Sequence, residues 1–173
     1  MALFQKTSIA EVRAPPFDEL RRRTRILVID DDESSFPFKQ LKDEGYAIDH
    51  WPKVQSLTQL EQGTYDIVVL DIHGVGQEYS ADDGLGILEH IKERNPSQLV
   101  VAFSGHTFDL AKNRFFRLAD DVLGKPVDAT KCKRVIDDLI ASKMTPQGMW
   151  SGSSSCCRKQ VFLRRTYPSS NRR

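Results

Sequence analysis

Asp66-Ile67-Val68-Val69-Leu70-Asp71 decides the fold. Four apolar residues stand side by side with no polar residue between them, the pattern of a strand buried on both faces of a parallel sheet. Ile26-Leu27-Val28-Ile29 and Leu99-Val100-Val101-Ala102-Phe103 repeat the pattern, and Val122-Leu123 is a shorter version. Tyr46-Ala47-Ile48-Asp49-His50-Trp51 alternates weakly and reads as an edge strand. Helical spacing fills the gaps. Leu85, Leu88 and Ile91 precede a stop at Asn95-Pro96, and Cys132, Val135, Ile136, Leu139 and Ile140 form an i, i+3, i+4, i+7, i+8 stripe. Val54, Leu57 and Leu60 suggest a helix ended by Gly63, and weaker helices cover about 34–44 and 107–118. Strand and helix alternate, so the pattern predicts a parallel sheet sandwiched by helices with right-handed crossovers.

Charge divides the 173-residue chain. Residues 1–24 carry five Lys/Arg against three Asp/Glu, residues 25–143 carry 14 against 21, and residues 144–173 carry six against none. The division predicts an N-terminal extension (1–24), an acidic domain (25–143) and a basic, flexible tail (144–173) that opens on Ser151-Gly152-Ser153-Ser154-Ser155. An acidic body is a poor nucleic-acid binder. No apolar run approaches the roughly 20 residues of a membrane helix, and Met1-Ala2-Leu3-Phe4-Gln5-Lys6 lacks a signal peptide's apolar stretch. Three cysteines, Cys132, Cys156 and Cys157, show no C-x-x-C spacing, which argues for a reducing, cytoplasmic setting and against a disulfide framework or zinc site.

Folds of this class place their chemistry at the carboxyl ends of the strands. Asp30-Asp31-Asp32-Glu33 follows the first run, Asp71 the second, Ser104 the third, and Gly124-Lys125-Pro126 the last. Crowded carboxylates repel one another unless a cation lies between them, and clustered oxygen donors suit Mg2+. A carboxylate beside Mg2+ can attack a phosphoryl group to give an acyl phosphate, with a lysine and a hydroxyl to stabilise the transferring oxygens. Taken singly, the Asp run is an N-cap, Asp71 a loop cap, Ser104-Gly105 a turn and Lys125-Pro126 a strand end. Their joint occurrence, each directly after a buried-strand run, points to a phosphoacceptor site.

These segments, with Asp83-Gly84-Leu85 and Ala119-Asp120-Asp121, resemble the receiver domain of two-component response regulators, the CheY-like superfamily, over about 25–143. The resemblance implies a flavodoxin-like (βα)5 three-layer sandwich with a five-stranded parallel sheet of order 2-1-3-4-5. It implies Asp71 as phosphoacceptor, and Mg2+ held directly by Asp31 and through water or weakly by Asp30, with Asp71 and the His73 carbonyl completing the set. Lys125 would pair with the phosphoryl group, Ser104 would move towards it, and the peptide before Pro126 would be cis. The implied donor is a histidine kinase or histidine phosphotransfer protein. The implied output is a phosphorylation-dependent contact with an unidentified protein, or a homodimer through the face of the fourth helix, fifth strand and fifth helix.

The chain departs from the family pattern at four places. The loop of residues 73–83 is longer than usual and lacks the family's proline, and its Gly74 and Gly76 suggest mobility. Val122 stands where an aromatic residue is usual, and Pro37 falls in a short first helix. About 30 residues follow the last helix, so a stand-alone receiver with no DNA-binding domain is expected. Two rival functions are weaker. Asp71-Ile72-His73-Gly74 resembles the nucleophile loop of haloacid-dehalogenase-like phosphohydrolases, yet His73 replaces their second aspartate and Asp30–Asp32 have no place there. A non-phosphorylated scaffold would keep the fold without the switch. Elsewhere, the side chains of His73 and His106 read as rim or surface groups, His50 and His90 as structural or exposed, Cys132 as core, and Arg21-Arg22-Arg23 as a solvated lead-in.

Overall fold

The computed structural model describes residues 15–105 and 116–143. Five parallel strands form one sheet: β1 (Arg25–Ile29), β2 (Ala47–Trp51), β3 (Ile67–Asp71), β4 (Leu99–Ser104) and β5 (Asp121–Gly124), in the order β2-β1-β3-β4-β5. Helices α1 (Phe17–Arg23), α2 (Phe38–Asp43), α3 (Leu57–Glu61), α4 (Asp83–Arg94) and α5 (Ala129–Lys143) accompany it, and residues 116–118 are helical. Of the helix expected at about 107–118, the remainder lies outside the described residues, as do His106, Cys156, Cys157 and the tail at 144–173.

The continuous apolar runs are continuous because both faces of the sheet are covered. Every residue of β3 and β4 is buried, and β1 is buried from Ile26 onward. Successive side chains point to opposite faces. Ile26, Val28, Ile67, Val69, Val101 and Phe103 pack with Leu41 of α2 and with Cys132, Ile136 and Ile140 of α5. Leu27, Ile29, Val68, Leu70, Val100 and Ala102 pack with Leu60 of α3 and with Ile87, Leu88 and Ile91 of α4. The two halves make a three-layer sandwich, with β2 and β5 at its edges. Burial in the Cys132 layer pushes the thiol's pKa up to about 12, as its place on the α5 stripe implies.

Register then places the chemistry. Ile29 lies opposite Leu70, so the residues that follow them, Asp30 and Asp71, emerge side by side from neighbouring strands. Asp71 lies opposite Phe103, and Ser104 lies opposite Gly124, directly before Lys125. β1 and β3 adjoin although β2 lies between them in sequence. The chain therefore reverses its direction of winding there, and a crevice opens at the strand ends.

Two local readings differ from the sequence expectation. Val54 precedes α3 rather than opening it. Ser56 caps the helix by accepting from the Gln59 N–H, while Val54 is buried in the apolar layer before it and donates its N–H to the Val75 carbonyl at 2.8 Å. The arginine triplet is not wholly solvated, because residues 17–23 form α1, with Asp18 and Glu19 in its first turn and the arginines in its last. Arg21 lies across the ring of Tyr46 and donates to both carboxylate oxygens of Asp137 on α5, at 3.4 and 3.2 Å. Tyr46 donates to the same Asp137 oxygen as Arg21 Nε, and burial with that hydrogen bond raises the phenol's pKa well above the ordinary range. Phe17 and Leu20 pack on the core layer beneath.

Arg21→Ala is expected to lower the free energy of unfolding by about 1–2 kcal/mol in a denaturant titration. Arg22→Ala, at an exposed position of the same helix, should change it by less than about 0.5 kcal/mol.

Candidate functional site

The crevice gathers three carboxylates and one ammonium. Ligand oxygens of Asp30, Asp31 and Asp71 all lie within 4.8 Å of one another. Asp30 is fully buried and Asp71 is 6% exposed, whereas Asp31 is exposed. Lys125 reaches across from the end of β5, and its Nζ lies 2.7 Å from Asp30 Oδ2 and 2.7 Å from Asp71 Oδ2. Its backbone N–H donates to the Ser104 carbonyl at 3.0 Å, its Nζ lies 4.8 Å from the centre of the Phe103 ring, and the peptide to Pro126 is cis.

Every carboxylate oxygen of the buried pair is engaged. Asp30 Oδ1 accepts from the Asp32 N–H at 2.9 Å, and Asp30 Oδ2 accepts from the Ser35 hydroxyl at 2.7 Å. Asp71 Oδ1 accepts from the N–H of Ile72 at 2.7 Å. Asp32 itself turns outward, caps the turn at Glu33–Ser35, and has its pKa lowered by the Ser34 hydroxyl and N–H. Behind Asp30, the ring of His50 bonds the Asp30 carbonyl through Nε2 at 2.8 Å and packs against Phe38. His50 is thus structural, and His90 pairs with Glu61 through Nε2 at 2.6 Å.

Burial dominates the electrostatics. Desolvation holds the Asp71 carboxyl above the ordinary carboxylate range, and Asp30 adds to the rise, while the Lys125 hydrogen bond and charge pull it back. Desolvation lowers the pKa of the Lys125 ammonium, yet the hydrogen bonds it donates to Asp30 and Asp71 outweigh that effect and leave the group above its usual value. The ammonium therefore stays charged between the two carboxylates.

The donor set fits a hard dication. Three carboxylates from two strand ends supply oxygen ligands only, with neither thiolate nor imidazole among them, as Mg2+ prefers. Asp31, outside the lysine's reach in this arrangement, leaves one carboxylate facing solvent. Ser104 is buried at the end of β4, on the strand next to β5 and opposite Gly124, which directly precedes Lys125, and the His73 side chain is exposed. The structure thus brings Asp30, Asp31, Asp71 and Lys125 together and puts Ser104 on the same rim.

Two features were not legible in the sequence. Gly84, at the start of α4, lies directly against the end of β3: a β-carbon there would come within 2.1 Å of the Asp71 carbonyl oxygen. The loop of residues 73–83, whose glycines suggest mobility, is tied at several points. The Asp83 carboxylate accepts from Gly74, Val75 and Gly76, Val75 is 2% exposed, and Lys53 pairs with Glu78. An Asp-Asp-Gly run before an apolar stripe signals only a helix start, so neither contact could be read locally.

A five-stranded parallel sheet of order 2-1-3-4-5 with this acidic crevice defines the flavodoxin-like class of CheY-like receivers. Among solved structures, a CheY-like receiver from Methanospirillum hungatei shares the fold at TM-score 0.58 and 20% identity, covering 70% of this chain and 96% of its own. The receiver domain of NtrX from Brucella abortus matches at TM-score 0.55 and 29% identity, covering 68% of this chain and 98% of its own. No protein-family model matches the chain. A response regulator named NtrX-like from Rickettsia felis is 33% identical over 168 residues, which is 85% of this chain and 34% of that protein. The chain spans about a third or less of the length of the curated relatives it matches. The chain carries a response-regulator receiver domain. Among the described residues, no helix is long and apolar enough to cross a membrane.

Gly84→Ala is expected to cost more than about 2 kcal/mol in chemical denaturation, because the added methyl meets backbone that cannot swing aside. Gly105→Ala, whose β-carbon meets nothing closer than 3.5 Å among the described residues, serves as the control and should be near neutral.

Proposed function

We propose that this domain accepts a phosphoryl group on Asp71 from a histidine kinase or histidine phosphotransfer protein, with Mg2+, and signals through phosphorylation-dependent protein contacts. The observation that carries the reading is the shared ammonium: Lys125 Nζ at 2.7 Å from both Asp30 and Asp71, beside a third carboxylate. Asp30, Asp31, Asp71 and the His73 carbonyl would hold the cation. When bound, Mg2+ would neutralise the phosphoryl oxygens and the clustered carboxylates.

The chain's own residues do the rest. An Asp71 oxygen attacks phosphorus, the bond from phosphorus to the donor's imidazole nitrogen breaks with its electron pair leaving on the imidazole, and an acyl phosphate forms on Asp71. Lys125, already within hydrogen-bond distance of Asp71, stabilises charge on the transferring oxygens. Asp30 holds the ammonium from its other side. Ser104, on the neighbouring strand, is the hydroxyl that would follow the phosphoryl group, with the strand and helix after it responding. Val122, where the family usually has an aromatic, is 39% exposed on β5 and would carry that response as an aliphatic surface group.

The central place of Asp30 favours this reading over a haloacid-dehalogenase-like phosphohydrolase, whose layout leaves that residue unused. The domain division follows the same reading. The receiver occupies about 25–143, and α1 from the N-terminal extension is docked upon it.

Incubation with acetyl phosphate and Mg2+ should give a single phosphoryl adduct by intact mass. Asp71→Asn, or omission of the metal, should abolish it. An adduct formed equally by Asp71→Asn would refute the assignment, and sustained turnover of small phosphomonoesters would favour the phosphohydrolase.

A further inference from the structure

The loop of residues 73–83 leaves the end of β3 and returns to it. Its neck is closed by the Gly84 N–H donating to the Ile72 carbonyl at 3.1 Å, which makes it an Ω-type loop. Inside the loop, three consecutive backbone N–H groups converge on one carboxylate. Gly74 donates to Asp83 Oδ2 at 2.5 Å, and Val75 and Gly76 donate to Asp83 Oδ1 at 3.1 and 2.6 Å. Such a run of N–H groups is an anion-binding concavity, filled here by the protein's own side chain. Asp83 takes up the required position with φ at 51°, a region that residues other than glycine seldom enter. The held segment lies against the carboxylate cluster: a β-carbon at Gly74, whose φ is +81°, would come within 2.6 Å of Asp31 Oδ2.

Resting on the cation reading above, we propose that Asp83 is a positioning residue of that site. By holding the backbone of residues 74–76 against Asp31, it fixes the loop that carries the His73 carbonyl and so sets the affinity for a divalent cation without touching it. Hydrogen-bond partners that orient metal ligands commonly act in this way, and their loss weakens metal binding by about 10–100-fold.

Calorimetric titration of the full chain with Mg2+, together with hydrogen exchange of the metal-free protein, tests the assignment. Asp83→Ala should weaken Mg2+ binding about tenfold or more and should release the amides of Gly74, Val75 and Gly76 to fast exchange. Asp83→Asn keeps a carbonyl acceptor while losing the charge, so it should retain most of the affinity and most of the protection. Gly74→Ala, which leaves Asp83 intact but intrudes on Asp31, should weaken Mg2+ binding as well. Equal weakening by Asp83→Asn and Asp83→Ala would overturn the proposal, because loss of charge alone would explain it. Unchanged affinity in Asp83→Ala with the three amides exchanging freely would overturn it too. Failure of the native chain to bind Mg2+ while those amides stay protected is a different result, and refutes the cation reading on which the proposal rests.

Discussion

Two buried carboxylates share one ammonium, and the strand ends are arranged around that fact. Asp30 and Asp71 emerge side by side because Ile29 and Leu70 are in register, and a third carboxylate, Asp31, lies within 4.8 Å of both. Two like charges about 4 Å apart near a protein surface repel by about 4 kcal/mol at an effective dielectric constant of ~20. Lys125, 2.7 Å from each of the buried pair, offsets that repulsion without removing it, because one positive charge faces three negative ones. On the proposed reading, the excess negative charge is what would draw a further cation into the crevice. The Lys125–Asp71 contact is also what a phosphoryl group on Asp71 would have to share.

The surroundings make this arrangement stiff. Phe103 lies under the ammonium, His50 bonds the Asp30 carbonyl, and α4 approaches so closely that only glycine fits at position 84. The loop of residues 73–83 is bound back on itself through Asp83 and on the β2–α3 connection through Val75 and Val54. On the far side, α1 joins α5 and Tyr46 through Arg21 and Asp137. A crowded polar crevice of this kind is tolerable because the apolar layers on both faces of the sheet bear the cost of folding.

The architecture was legible in the sequence because burial on both faces leaves continuous apolar runs, and strand ends inherit their positions from those runs. Asp30, Asp71, Ser104 and Lys125 could be placed on one rim for the same reason. What could not be read were contacts between residues far apart in the chain. Arg21 belongs to a triplet that looks solvated, and only the approach of Asp137 from α5 draws it down. Gly74 and Gly76 suggest a loose loop, but their N–H groups are captured by a carboxylate that locally signals a helix start. Val54 falls at helical spacing from Leu57 and Leu60, yet the Ser56 cap begins the helix after it.

Lys125→Ala gives the most direct test of the shared-cation account, through its unfolding free energy with and without Mg2+. Removal of the ammonium leaves two buried carboxylates unbalanced, so the metal-free variant should lose about 3–5 kcal/mol. A large part of that loss should return at saturating Mg2+, and the gain should exceed the one Mg2+ gives the native chain. An equal loss with and without the metal would contradict the account, since it would show that the cluster does not depend on a cation between its charges.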